Sequence, residues 1–190
     1  MKGITFIILC ISLHITAQIS PNINQYNKQG KKHGIWKGYH ENTQTKRYEG
    51  EFNHGTPVGR FTYYAIEGHV SGKVDFINDS ISSAQMFHDN GSIMAEGKFL
   101  NQTKSGKWYI YSRSGYLLNV LHYLNGALEG TQYSYYPKFD DYEKVKVMEQ
   151  YECTGGLKNG VWKEFHKLGT VKAEGNYLEG NKAVSYTHLT

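Results

Sequence analysis

Three histidines stand directly behind an aromatic residue, as Tyr39-His40, Phe87-His88 and Phe165-His166. Imidazoles recurring in one register, among nine histidines in all, raise the question of a metal centre. Zinc needs three or four His, Cys or carboxylate donors at about 2.0–2.3 Å from one ion. No Cys or His pair here has that ligand spacing on a short loop. The three recurring histidines also fall in copies of a repeat that are not neighbours. With strands ~4.8 Å apart and two strands per copy, adjacent copies lie roughly 10 Å apart, so no two of these side chains can share an ion. They read as solvated residues at turn edges. A covalent mechanism needs a Ser or Cys nucleophile with a base and an orienting carboxylate. Asp140-Asp141 is only an adjacent pair in a polar stretch, and no glycine-rich phosphate loop follows a strand and opens a helix. The expectation is a protein that is not an enzyme and has no catalytic, cofactor or metal site.

Lysines and aromatics carry more, because they recur at fixed spacing. Gly156-Leu157-Lys158-Asn159-Gly160-Val161-Trp162-Lys163-Glu164-Phe165 is Gly-x-Lys-x-Gly-x-Trp-x-x-aromatic. The pattern returns around Gly34, Trp36 and Tyr39, around Gly59, Phe61 and Tyr64, and around Gly106, Trp108 and Tyr111. Gly34 and Gly59 are 25 residues apart, and Gly106 and Gly130 are 24 apart. Between 59 and 106 a degenerate copy fits, with Ser82 as the glycine, Ala84 as the Trp and Phe87 as the aromatic. Gly126 and Gly130 frame another, with Gln132 and Tyr135 in those places. The step from Gly130 to Gly160 is 30 residues, which makes room for an insertion over 136–148. The last copy starts at Gly180. Self-similarity at a period between 20 and 50 residues marks an array.

Each copy must be an element that positions these side chains. Its halves are joined by a polar turn such as His88-Asp89-Asn90-Gly91, and Asn-Gly between two β-prone runs signals a hairpin. Sixteen Tyr, eight Phe and three Trp favour strands. The predicted fold is all-β: an elongated array of about seven antiparallel hairpins of ~24 residues, pairing side by side into one twisted sheet. One hairpin cannot bury a Trp alone, so Trp36, Phe61, Trp108 and Trp162 should form a row covered by neighbouring copies. The aromatic three residues after the Trp is harder to place. Residues three apart on a strand face opposite sides, so either both faces carry aromatics or a bulge brings them together. Cys153 occupies the register of Phe52, Phe99, Tyr123 and Tyr177 and reads as a buried apolar residue. Lys31, Lys32, Lys104, Lys107, Lys158 and Lys163 recur around the glycines, either as a basic edge facing anionic lipid or as solubilising charges.

Residues 1–17 combine Lys2, an apolar run too short to span a bilayer, and Ala17, which predicts a cleaved export signal. Without it the net charge falls from +4 to +3 through the loss of Lys2, a balance that is not clustered as nucleic-acid binding requires. An irregular lead-in is expected over 18–28 and the repeat domain over 29–182. In residues 183–190 the pattern lapses, which reads as a truncated or artefactual tail. Specificity is expected on the insertion, where Tyr136, Phe139 and Tyr142 are candidate partner contacts.

The Gly-x-Lys-x-Gly-x-Trp-x-x-Tyr/Phe copies resemble MORN repeats, and more closely the bacterial MORN-variant proteins called YwqK-family antitoxins. The resemblance covers roughly residues 28–182. It implies an all-β hairpin array acting in protein binding, membrane-surface association or scaffolding. The expected function is a non-enzymatic, exported module of the periplasm, cell envelope or extracellular space that binds an unidentified protein partner. An anionic membrane surface is the alternative ligand. An antitoxin or immunity-like role is a third reading, and it would require the partner toxin to be exported too.

Overall fold

The computed structural model describes residues 22–137 and 146–188, without the side chains of 184–188. The chain runs as β1 (Gln25–Tyr26), β2 (Lys32–Tyr39), β3 (Lys46–Asn53), β4 (Thr56–Tyr64) and β5 (Val70–Phe76). It continues as β6 (Ile81–Phe87), β7 (Ile93–Leu100), β8 (Thr103–Tyr111), β9 (Leu117–Leu124) and β10 (Ala127–Leu128). The last five are β11 (Gly130–Tyr135), β12 (Val147–Thr154), β13 (Leu157–Phe165), β14 (Val171–Leu178) and β15 (Asn181–His188). Among the described residues all pair antiparallel in chain order into one open sheet of 15 strands, with β10 lying off the main path and paired with β9. The hairpin array is therefore the fold.

Two kinds of turn alternate along the sheet. Within a hairpin the Gly91 N–H donates to the His88 carbonyl and the His88 N–H to Ser92, and Gly115 and Gly169 close their loops in the same way. These are three-residue loops ending on a left-handed glycine. Between most hairpins the connection is a two-residue turn with positive φ at both positions, as at His54-Gly55, Asn125-Gly126 and Glu179-Gly180, whereas β5 and β6 are joined by the four residues 77–80. The Gly55 N–H reaches the Lys32 carbonyl, Gly126 reaches Lys104 and Gly180 reaches Lys158, so each of these turns is bonded to the copy before it. That bond gives the array its regular step.

The second glycine of the motif does a specific job. Gly59 (φ 63°) and Gly106 (φ 67°) let the strand bulge, so that one residue of the preceding strand, Gly50 or Gly97, faces three on the motif strand. In the degenerate copy Ser82 stands at this place, and β5 and β6 pair without interruption from Gly72–Met86 to Phe76–Ser82. Losing the glycine removes the bulge.

The register also settles the two aromatics. Trp108 lies on the face of Ala95 and Ile110, whereas Glu96 and Tyr109 point to the other side. The Tyr111 hydroxyl donates to Glu96 Oε1 at 2.9 Å, which places Tyr111 opposite Trp108. Slips such as that between Ile110 and Tyr111 fall on the partner strand and do not turn the aromatic over. Both faces carry aromatics. The core belongs to the Trp face, where Trp36, Phe61, Ala84, Ala95, Trp108, Cys153, Trp162 and Ala173 are buried.

The lead-in is more ordered than its sequence suggests. β1 pairs with Lys32 and His33, and Asn24 extends that edge with its side chain. Its Nδ2 donates to the Lys37 carbonyl at 3.0 Å while its Oδ1 accepts from the Lys37 N–H at 2.7 Å. An asparagine amide thus stands in for a strand residue.

Candidate functional site

The aromatic row is built from interlocking edges and faces. Trp36 meets Phe52 edge-on at 6.1 Å, Phe52 meets Phe61 at 5.1 Å, and Phe61 meets Phe76 at 5.3 Å. Further along, Trp108 packs between Phe99 at 5.1 Å and Tyr123 at 6.4 Å, and Trp162 against Tyr177 at 6.3 Å. Space for a motif ring comes from the strand before it. A Cβ on Gly50 would lie 2.4 Å from Phe61, and one on Gly97 would lie 2.4 Å from Trp108. The ring sits directly on the glycine.

Lysine closes the row from above. Lys32 Nζ lies 4.4 Å from the Trp36 ring centroid and 4.9 Å from Phe52. Lys104 lies 4.5 Å from Trp108 and 5.0 Å from Tyr123, and Lys158 lies 5.1 Å from Tyr177. Each places its charge over the ring faces. Lys37 and Lys163 instead pair with Glu49 and Glu174 on the opposite face. The recurring lysines are therefore divided between two faces and do not form one basic edge.

The second and third copies break this arrangement in three places at once. Pro57 and Ser80 occupy the register of the lysine, and Ala84 occupies that of the Trp. Val74 stands where Gly50 and Gly97 stand elsewhere, so the ring and its glycine have been exchanged together. The result is a cleft of about 640 Å³ lined by Pro57, Tyr63, Val74, Phe76 and Phe99, with Asn78, Asp79, Ser80, Ser82 and Gln102 also on its wall. Burial pushes the Tyr63 phenol up, with Tyr48 adding a smaller effect in the same direction. Among the described lysines and arginines, none lies over Phe61, Phe76 or Phe99. The site is an uncovered stretch of the row.

The fifth copy departs from the pattern without opening. Gln132 is 0% exposed in the Trp position. Its Oε1 accepts the His122 N–H at 2.7 Å, and its Nε2 donates to Gly130 at 2.9 Å and Glu129 at 3.1 Å. The carboxamide thus repairs the ladder where β10 ends and the chain steps out at Glu129.

The recurring histidines have a structural task, and His40 and His88 are not simply solvated. His40 Nε2 lies 2.9 Å from the Tyr64 carbonyl and His88 Nε2 lies 3.1 Å from that of Tyr111, each joining its hairpin to the next. Tyr136 does the same in the fifth copy, its hydroxyl donating to the Phe165 carbonyl at 2.7 Å. That bond engages Tyr136 within the sheet, while Phe139 and Tyr142 lie outside the described residues. The other repeat-defining residues take their expected registers. Gly34, Gly130 and Gly160 have positive φ, and Tyr39, Tyr64, Tyr111, Tyr135 and Phe165 close the far ends of their strands. Cys153 is buried opposite Gly130, and burial pushes its thiol up. Among the described residues no three His, Cys, Asp or Glu side chains gather as metal ligands.

The cleft residues escape a search for the motif because they lie where it lapses. The signal available was the coincidence of Pro57, Ser80 and Ala84 at lysine and Trp positions in consecutive copies. Residues 158–179, which span β13 and β14, match the family model described as MORN repeat variant. No curated protein matches the chain.

Proposed function

We propose that this chain is a non-enzymatic, exported repeat module that binds a protein partner in the cell envelope through the cleft in its aromatic row. The observation that carries the reading is the loss of the lysine lid in the second and third copies together with the loss of the motif ring in the third. Elsewhere on this face the rings are covered by the protein's own side chains. A pocket of a few hundred Å³ with apolar walls and a polar rim suits an anchor side chain, and such anchors dominate interface energetics. Export rests on residues 1–17, and the array would serve as a scaffold that holds the cleft in a fixed position.

The test is affinity capture from an envelope extract by the full chain and by Pro57→Lys, which supplies the missing lid. A partner retained by the first and lost by the second supports the reading. One retained equally by both refutes the cleft as its site.

A membrane-surface role has one observation in its favour. Lys32, Lys104, Lys158 and Lys182 share a register on the aromatic face, where ammonium groups and Trp edges suit anionic head groups. Co-sedimentation with anionic vesicles that is lost at high salt would support it, and absence of binding at low salt would remove it.

A further inference from the structure

We infer that the cleft receives the guanidinium of an arginine presented by the partner, a conclusion that rests on the protein-binding reading above. Wherever the row is complete, a cation lies over it: Lys32 over Trp36 and Phe52, Lys104 over Trp108 and Tyr123, and Lys158 over Tyr151 and Tyr177. The protein's own pattern shows what these ring faces take. In the cleft the faces remain and the cation is missing, because Pro57 and Ser80 replace the lysines.

Charge on the rim points the same way. Asp79 is exposed and, among the described residues, is the one charged side chain lining the cleft. Two carboxylates on the opposite face are committed by contrast: Arg60 holds Asp75 through two bonds of 2.7 and 2.8 Å, and Glu96 accepts from Tyr111 and Gln85. An aromatic wall with a carboxylate at its edge favours a planar cation, which can stack on a ring and donate two parallel bonds to the acid. Arginine meets both demands better than lysine. The net charge of the chain is +4, so a basic ligand gains nothing from the overall field and its attraction must be local.

The test is an amide NMR titration of the full chain with N-acetyl-arginine N-methylamide and with the citrulline analogue, which keeps the shape and lacks the charge. The arginine compound is expected to move the amides of Phe76, Asp79 and Phe99 and to bind about ten-fold more tightly than citrulline. Asp79→Asn, at an exposed position, should bring the two affinities together, and Pro57→Lys should abolish both. Equal affinities in the unmodified protein would overturn the cation preference while leaving the cleft a site for a partner's side chain. Perturbations confined to other surfaces, or none, would overturn the inference and count against the cleft itself.

Discussion

Gly97→Ala tests whether ring-on-glycine contact holds the array together. The added Cβ would stand 2.4 Å from Trp108 Cδ2, whereas non-bonded carbons settle at about 3.5–4.0 Å. Trp108 is fully buried and wedged between Phe99 and Tyr123, so the ring cannot rotate away freely. Overpacking of this kind costs about 1–3 kcal/mol. Displacing the ring also stretches its Nε1–H bond to the Lys98 carbonyl, now 3.1 Å, which is a loss of about 1 kcal/mol. The expected destabilisation is about 2–4 kcal/mol. Gly72→Ala is the matched control, because its Cβ would meet only the Gln85 carbonyl oxygen at 3.5 Å and its φ lies outside the left-handed region. That change should be neutral or stabilising by about 0.5 kcal/mol. Urea unfolding followed by tryptophan fluorescence measures both. Unfolding free energies for the two variants that agree within about 0.5 kcal/mol would refute the packing argument.

Four further outcomes follow from the same geometry. Val74→Gly and Ala84→Trp should each destabilise alone, yet together rebuild a ring on its glycine and recover at least about 1 kcal/mol relative to their sum in a double-mutant cycle. Gln132→Ala strands the His122 N–H and the carbonyls it now satisfies, at a cost of about 3 kcal/mol read as a lowered urea midpoint. Burial, and then the bond to Glu96, push the Tyr111 phenol up to about 12. The folded state keeps a proton that the unfolded chain releases near pH 10, so stability should fall as pH rises from about 10 to 12, less steeply in Tyr111→Phe. The Cys153 thiol, buried and shifted upward, should react slowly with a disulfide reagent at neutral pH and quickly once urea unfolds the chain.

The repeat was legible because its glycines and rings recur for local reasons: a bulge at Gly59 or Gly106, a ring over Gly50 or Gly97. A short period repeats those reasons along the chain, and their alignment exposes even Ser82, Ala84 and Gln132. Three features lay beyond that reading. The face taken by Tyr111 depends on which strand absorbs a bulge, and the motif does not encode it. The bonds of His40 and His88 reach the neighbouring hairpin, so neither histidine shows its role in its own copy. The cleft is an absence, visible only once the lysine lids over Trp36 and Trp108 have shown what should be there. The motif located the scaffold, and its lapses locate the candidate site.

The most direct test of the binding account is photo-crosslinking in cells from benzoylphenylalanine placed at Ser80, on the wall of the cleft, and at Ser105, on the opposite face. The account predicts a discrete adduct with one protein from Ser80, absent from Ser105 and lost when Pro57→Lys is added. The same adduct from both positions, or one from Ser80 that persists with Pro57→Lys, would contradict it.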